Sequence, residues 1–238
     1  MALMLGHSIA DNSALDLADL ARRYLAWHRA DAFDTGPVWR LVFQRIEAGA
    51  DAADAARLVD QQLGGMTAGV NAAHRATAIG CASVIPDALV AAEARREARL
   101  THWHADAAEA SAATALIVRS MLRGISLSDS VAAAAAATTG VVSAMLQHKP
   151  ADAQSLKPGG YAPLTLQAAV YFTETSCSFS QAVLSSIAFA GPCNYCPVLV
   201  GAFAALKFGV PAQPVPGCPV DDALARDACD TFERLWKE

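Results

Sequence analysis

The sequence predicts an all-α fold, a single domain of about ten helices over residues 1–238. Three observations carry this. The chain is 54% hydrophobic and 17% charged, and alanine, the strongest helix former, supplies much of that apolarity. No stretch alternates apolar and polar residues for long, so strand signals are nearly absent. Apolar residues instead recur at three- and four-residue intervals between Gly and Pro breaks.

Taken in order, the first clear stripe is Leu17, Leu20, Ala21, Tyr24, Leu25 and His28, one face of a helix. Asp11, Asn12 and Ser13 precede it as turn and N-cap residues. Val38, Leu41, Val42 and Ile46 form a second stripe, closed around Gly49. Gly64-Gly65 and Pro86-Asp87 mark two further breaks. The alanine-rich run over residues 131–146 reads as one core helix. Residues 148–161 contain Lys149-Pro150 and Lys157-Pro158-Gly159-Gly160 and form a linker too short to divide domains. Ser178 and Gln181 have the spacing of a capping box. Pro197 fits a first helical turn, and Gly209 fits a helix end. After the proline-rich stretch 211–219, Leu224, Ala228, Thr231, Phe232 and Leu235 form a last stripe.

These properties exclude some functions. A net charge of −5 with scattered Lys and Arg gives no footprint for nucleic acid or an anionic membrane. Residues 175–206 carry no charge and could span a bilayer by length. Gly191, Pro192 and Pro197 interrupt them, so two buried helices are expected instead. The first residues lack the basic flank and apolar length of a signal peptide. The six cysteines do not form a dense framework, which points to free thiols and the cytoplasm.

Several residues have chemistry to offer. His102 and His104 flank Trp103 at a helix start, and no further metal ligand follows at matching spacing. Asn71, His74 and Arg75 sit in a Gly-containing segment. Asn71 suits a ribose or base, and Arg75 suits either an internal ion pair or a phosphate. Cys193 and Cys196 form a lone C-x-x-C, which lacks the second pair a zinc site needs. Cys196 at a helix N-terminus is a candidate nucleophile, with His102 or His74 as base. The same helix end could instead hold a phosphate.

Seven pieces of the chain, in order, resemble the ADP-ribosylglycohydrolases, the group that includes the dinitrogenase reductase-activating glycohydrolases. Residues 15–27 resemble the family's second conserved helix, and Asp34-Thr35-Gly36 its D-I-G turn. Residues 68–75 are similar to G-N-G-A-A-M-R, and Leu100, Thr101, His102 and His104 to L-T-H-x-H. Gly160-Tyr161 matches a G-Y pair, and residues 178–184 are similar to S-F-E-E-A-V-L. Residues 191–209 occupy the place of G-G-D-T-D-T and the small-residue helix after it.

The resemblance implies an orthogonal helical bundle with a central cleft. There, two magnesium or manganese ions, ADP-ribose and a metal-bound water that cleaves an N- or O-glycosidic bond would come together. Together with the residue chemistry above, this makes Gly69, Asn71, His74, Arg75, His104, Asn194 and Tyr195 the candidate ligand contacts, and His102 and Cys196 the candidate catalytic residues.

The departures from the family pattern are as informative. The family's T-D-D-T motif and first helix, with its catalytic glutamate, would precede Met1. The aspartates of the second metal motif fall on Pro192 and Asn194, its threonine on Tyr195, and the asparagine of G-N-G on Val70. Magnesium takes carboxylate oxygens in octahedral geometry, and two doubly charged ions cannot be buried without anionic ligands. The expectation is no metal cofactor unless residues outside this chain complete the site. The expected ligand is a nucleotide-like small molecule or an ADP-ribosylated protein.

Three readings follow. The first is a binding protein that has lost two-metal hydrolysis. The second is a diverged hydrolase using Asn194, His102 and Cys196. The third is a longer reading frame that carries the missing motif. Met1, Leu3, Met4 and Leu5 are expected to be incompletely covered, or covered by a second copy.

Overall fold

The computed structural model describes residues 1–30, 36–192, 195–215, 217 and 220–237. Among them are thirteen α-helices and two short 3-10 turns. In chain order the helices are α1 (Ala2–Asn12), α2 (Leu17–Arg29), α3 (Pro37–Glu47), α4 (Ala52–Gln62), α5 (Asn71–Cys81), α6 (Val90–Ala98) and α7 (Ala105–Leu122). They continue as α8 (Leu127–Ala137), α9 (Gly140–Gln147), α10 (Ala162–Thr175), α11 (Phe179–Ala190), α12 (Tyr195–Phe208) and α13 (Asp222–Leu235).

The extra helices come from breaks that an alanine-rich pattern hides. The run over residues 131–146 is two helices, not one. Thr138 turns to extended backbone while its hydroxyl donates to the Ala134 carbonyl, and Gly140 takes a positive φ of 62°. The uncharged stretch over residues 175–206 is likewise two helices, α11 and α12. Among the described residues no helix is long and apolar enough to cross a membrane.

Helix starts follow local chemistry. Asp16, Asp51, His104, Ser126, Ser178 and Asp221 each accept a hydrogen bond from a first-turn N–H. Gln181 reaches back to the N–H of Cys177, one residue before the cap, to complete a variant of the capping box. Asp11, Asn12 and Ser13 end α1 instead of opening α2. Ser13 is left-handed, and Asn12 donates to the Ser8 carbonyl and to Asp19.

Helix α7 is the axis of the molecule. It is buried almost all round, and its alanines 107, 108, 110, 112, 113 and 115 let neighbours approach closely. Helices α8, α9, α10 and α12 pack on one side of it, around Leu166, Leu199 and Phe203. Helices α1, α2, α3, α5 and α6 build a second core around Leu5, Leu20, Tyr24 and Ile79. At Gly80 in α5 an added Cβ would lie 2.7 Å from Val118 and 2.8 Å from the Ala115 carbonyl, so only glycine allows the α5–α7 contact.

The last helix corrects two sequence expectations. Helix α13 packs on α1, with Thr231 and Leu235 against Gly6, and Leu5 is fully buried. Met1, Leu3 and Met4 remain half-buried. The α13 stripe buries only Thr231 and Leu235, while Leu224 and Phe232 are exposed.

Candidate functional site

Three turns from distant parts of the chain meet beside the N-terminus of α7. The first follows α4, where Gly64 and Gly65 adopt positive φ and the Gly65 N–H closes on the Asp60 carbonyl. The second is the His104 cap, and the third is Gly160-Tyr161 before α10. Thr67 ties the first two together. Its hydroxyl donates to Asp60 and accepts from the His104 backbone N–H at 3.2 Å. An isolated antiparallel bridge ties the first and third: Val70 N–H donates to the Gly160 carbonyl, and Ala162 N–H to the Ala68 carbonyl, both at 2.9 Å.

Between these turns lies a cavity of about 410 Å³. Met66, Gly69, His104, Asp106, Gly160 and Tyr161 are among its lining residues. Asp106 sits in the first turn of α7, where the helix dipole favours a carboxylate. It accepts a 2.5 Å hydrogen bond from the Tyr161 hydroxyl. Burial and that carboxylate together push the Tyr161 phenol up to about 12. His104 Nδ1 accepts from the Asp106 backbone N–H at 3.1 Å, so the ring is held as a cap with its Nε2 carrying the proton. Tyr161 remains partly exposed.

His102 stands directly behind Gly69. A Cβ on Gly69 would lie 3.1 Å from His102 Nε2, so glycine keeps the imidazole against the cavity wall. His102 is buried, and its Nδ1 lies 2.9 Å from the Thr101 hydroxyl. Burial, then the Arg75 charge, lowers it to about 3, so the ring is neutral at physiological pH and a weak proton acceptor.

Arg75 takes the internal ion-pair role. Its Nε donates to Glu97 at 2.7 Å, and its other nitrogens reach the Thr101 hydroxyl and the Asn71 carbonyl. The guanidinium lies over the rings of Trp39 and Tyr24, and the Tyr24 hydroxyl donates to the same Glu97 oxygen. Ligand contact by Arg75, one of the sequence expectations, does not fit this geometry, because both partners of the pair are inside the core.

His74 and Tyr195 form a second arm. The half-buried His74 is lowered to about 4 by loss of hydration and donates Nε2–H to the Tyr195 carbonyl at 2.9 Å. The two rings stack, and the Tyr195 ring closes on Gly160, where a Cβ would be 3.1 Å away. Asn71 opens α5, half-buried. Cys196 is buried, and burial pushes its thiol up to about 12, which outweighs the thiolate preference expected at a helix start. Asn194, Cys193 and the Asp34-Thr35 turn lie outside the described residues.

Among the described residues the donor set does not fit a pair of divalent ions: Asp106 is the one carboxylate of theirs that lines the cavity, and no three of their His, Cys, Asp or Glu side chains cluster as metal ligands. Sequence reasoning missed Asp106 as a site residue, because an acid in a first helical turn looks like any other. Glu97 carried no sequence signal at all.

This all-α bundle, with the Gly69, L-T-H-x-H and G-Y turns gathered at one cavity, defines a class. A sequence model described as ADP-ribosylglycohydrolase matches residues 1–235, and the chain belongs to that family. Its fold is also similar to a solved structure described as an ADP-ribosylglycohydrolase-related protein complex. That similarity has a TM-score of 0.76 at 22% identity, over 98% of this chain and 79% of the other. No curated protein matches the chain.

Proposed function

We propose that this chain is an ADP-ribosylglycohydrolase-like protein that keeps a cleft for an ADP-ribose-like nucleotide and has lost two-metal hydrolysis. One observation carries the reading: among the described residues the cavity between the family's turns has Asp106 as its one carboxylate, and that carboxylate is already bonded to Tyr161. A single anionic group cannot balance four positive charges in a partly buried site. It can accept hydrogen bonds from ribose hydroxyls, with the Tyr161 ring beside it for apolar contact. The net charge of −5 supports a nucleotide or modified-protein ligand over nucleic acid. Free Cys81, Cys177, Cys196 and Cys229 support a reducing, cytoplasmic setting.

A diverged hydrolase built on His102 and Cys196 is the weaker reading. An imidazole near 3 is unprotonated at neutral pH but too weak a base to draw a proton from a thiol near 12, which stays protonated.

Thermal unfolding with ADP-ribose, in magnesium and in EDTA, tests the proposal. Saturating ligand at about 100 Kd stabilises the fold by about 2.7 kcal/mol, and the shift is expected to be equal in both buffers. Release of ADP-ribose from a modified protein, abolished by EDTA, would overturn it.

A further inference from the structure

Gly6, Gly80 and Gly201 lie inside helices α1, α5 and α12. Glycine in a helix interior destabilises it relative to alanine. Packing requires the first two: a Cβ would lie 2.6 Å from Thr231 at Gly6 and 2.7 Å from Val118 at Gly80. At Gly201 a Cβ would meet no described atom within 4 Å, and the backbone is ordinary helix. Nothing among the described residues calls for glycine at this position.

Its surroundings do. Helix α12 turns Cys196, Leu199, Val200 and Phe203 into the core. The outer stripe is Val198, Gly201, Ala202 and Ala205, with Val198 50% exposed. On the neighbouring α11, Phe179, Val183 and Ile187 form a ridge at four-residue spacing. An apolar groove of about 580 Å³ opens at Gly201, with Phe179, Val183, Pro197, Val210 and Pro214 also lining it. No residue from 175 to 206 is charged, and an exposed face depleted of charge has the composition of an interface core.

The stripe identifies the occupant as a second copy. Positions 198, 201, 202 and 205 are spaced symmetrically about a point between 201 and 202. Two α12 helices crossing antiparallel, with a two-fold axis through that point, set Val198 of each copy against Ala205 of the other and Gly201 against Ala202. The large side chain meets a small one in both halves, and glycine lets the backbones approach closely at the crossing. No charge on this face is desolvated and none meets a like charge, although each chain carries −5. Lys207, near the end of α12, is already bonded to the Thr173 and Glu174 carbonyls. A face two helices wide and about 20 Å long exposes roughly 400–600 Å². Doubling it buries on the order of 1,000 Å², at the low end of specific interfaces and enough for a reversible dimer.

We infer that this chain forms a reversible homodimer through α12, with Gly201 at the crossing point. Sedimentation equilibrium of the whole protein from about 1 to 200 μM tests it. The mass should rise from 24.8 kDa towards twice that value. Val198→Asp should hold it at 24.8 kDa with the far-ultraviolet circular dichroism unchanged. Val141→Asp, at an exposed apolar position on α9, should leave the association as it is. Gly201→Ala should raise the Tm of dilute protein and yet weaken dimerisation about tenfold, a combination that a purely internal role for the glycine would not produce. A mass of 24.8 kDa at every concentration would leave the face to a different protein and overturn the inference, whether or not any variant folds. A dimer indifferent to Val198→Asp or to Gly201→Ala would overturn it as well.

Discussion

Removing the Arg75 guanidinium should be among the most damaging single changes in this protein. The Arg75 and Glu97 side chains are 3% and 0% exposed. Arg75→Ala leaves the Glu97 carboxylate with the Tyr24 hydroxyl as its remaining partner and takes away a donor to Thr101. Breaking a buried pair from one side costs about 3–5 kcal/mol. Loss of the stacking on Trp39 and Tyr24 adds roughly 1 kcal/mol. For a domain of this size each kcal/mol lowers Tm by about 2–4 °C, so a fall of roughly 10–20 °C is expected. Urea unfolding should show the midpoint shift with an unchanged slope. The double variant Arg75→Met with Glu97→Gln keeps an acceptor for Tyr24 and buries no charge, so it should recover most of the loss. A loss under about 1 kcal/mol for Arg75→Ala, or a double variant no better than the single, would refute the electrostatic account.

Other consequences are as direct. His74 and His102 are lowered to about 4 and 3 by burial, whereas an unfolded histidine titrates near 6.5. The unfolded chain therefore binds more protons in this window. Stability is fully present above about pH 6.5 and falls as the pH drops towards 4 and 3. The loss is on the order of several kcal/mol and is read by urea midpoints from pH 7 to 4, with a His102→Asn variant showing a shallower slope. Gly80→Ala should cost about 1–3 kcal/mol through overpacking on Val118, and an unchanged Tm would contradict that contact. Iodoacetamide should label the exposed Cys177 and Cys229 in the native protein and spare Cys196; mass spectrometry of digests reads this, and rapid labelling of Cys196 would revive the thiol mechanism. Asp106→Asn should remove most of the ADP-ribose thermal shift while leaving the fold intact, and an undiminished shift would move the ligand away from this cavity.

The helices were legible because their signals are local. Asp16, Asp51 and Ser178 announce helix starts through the reach of one short side chain, and the break at residues 191–192 follows from Gly and Pro. Within residues 131–146 the same logic failed, since alanine on every face leaves no period to be interrupted. Of the site, His104 and Gly69 were found at the cavity because they stand in recognisable turns. Arg75 could not be assigned, because a guanidinium reaches far enough to serve core or ligand from the same position on α5.

The sequence by itself determined the class and most of the helical segments and their breaks, because each rests on one residue and its immediate neighbours. Tertiary structure alone decided that Gly69, Asp106 and Tyr161 share one cavity, that α13 covers Leu5, and that His102 and Cys196 are buried. Those outcomes depend on groups far apart in the chain being brought out of water together, and the free energy of a proton on His102 or Cys196 follows from that burial, not from residue type.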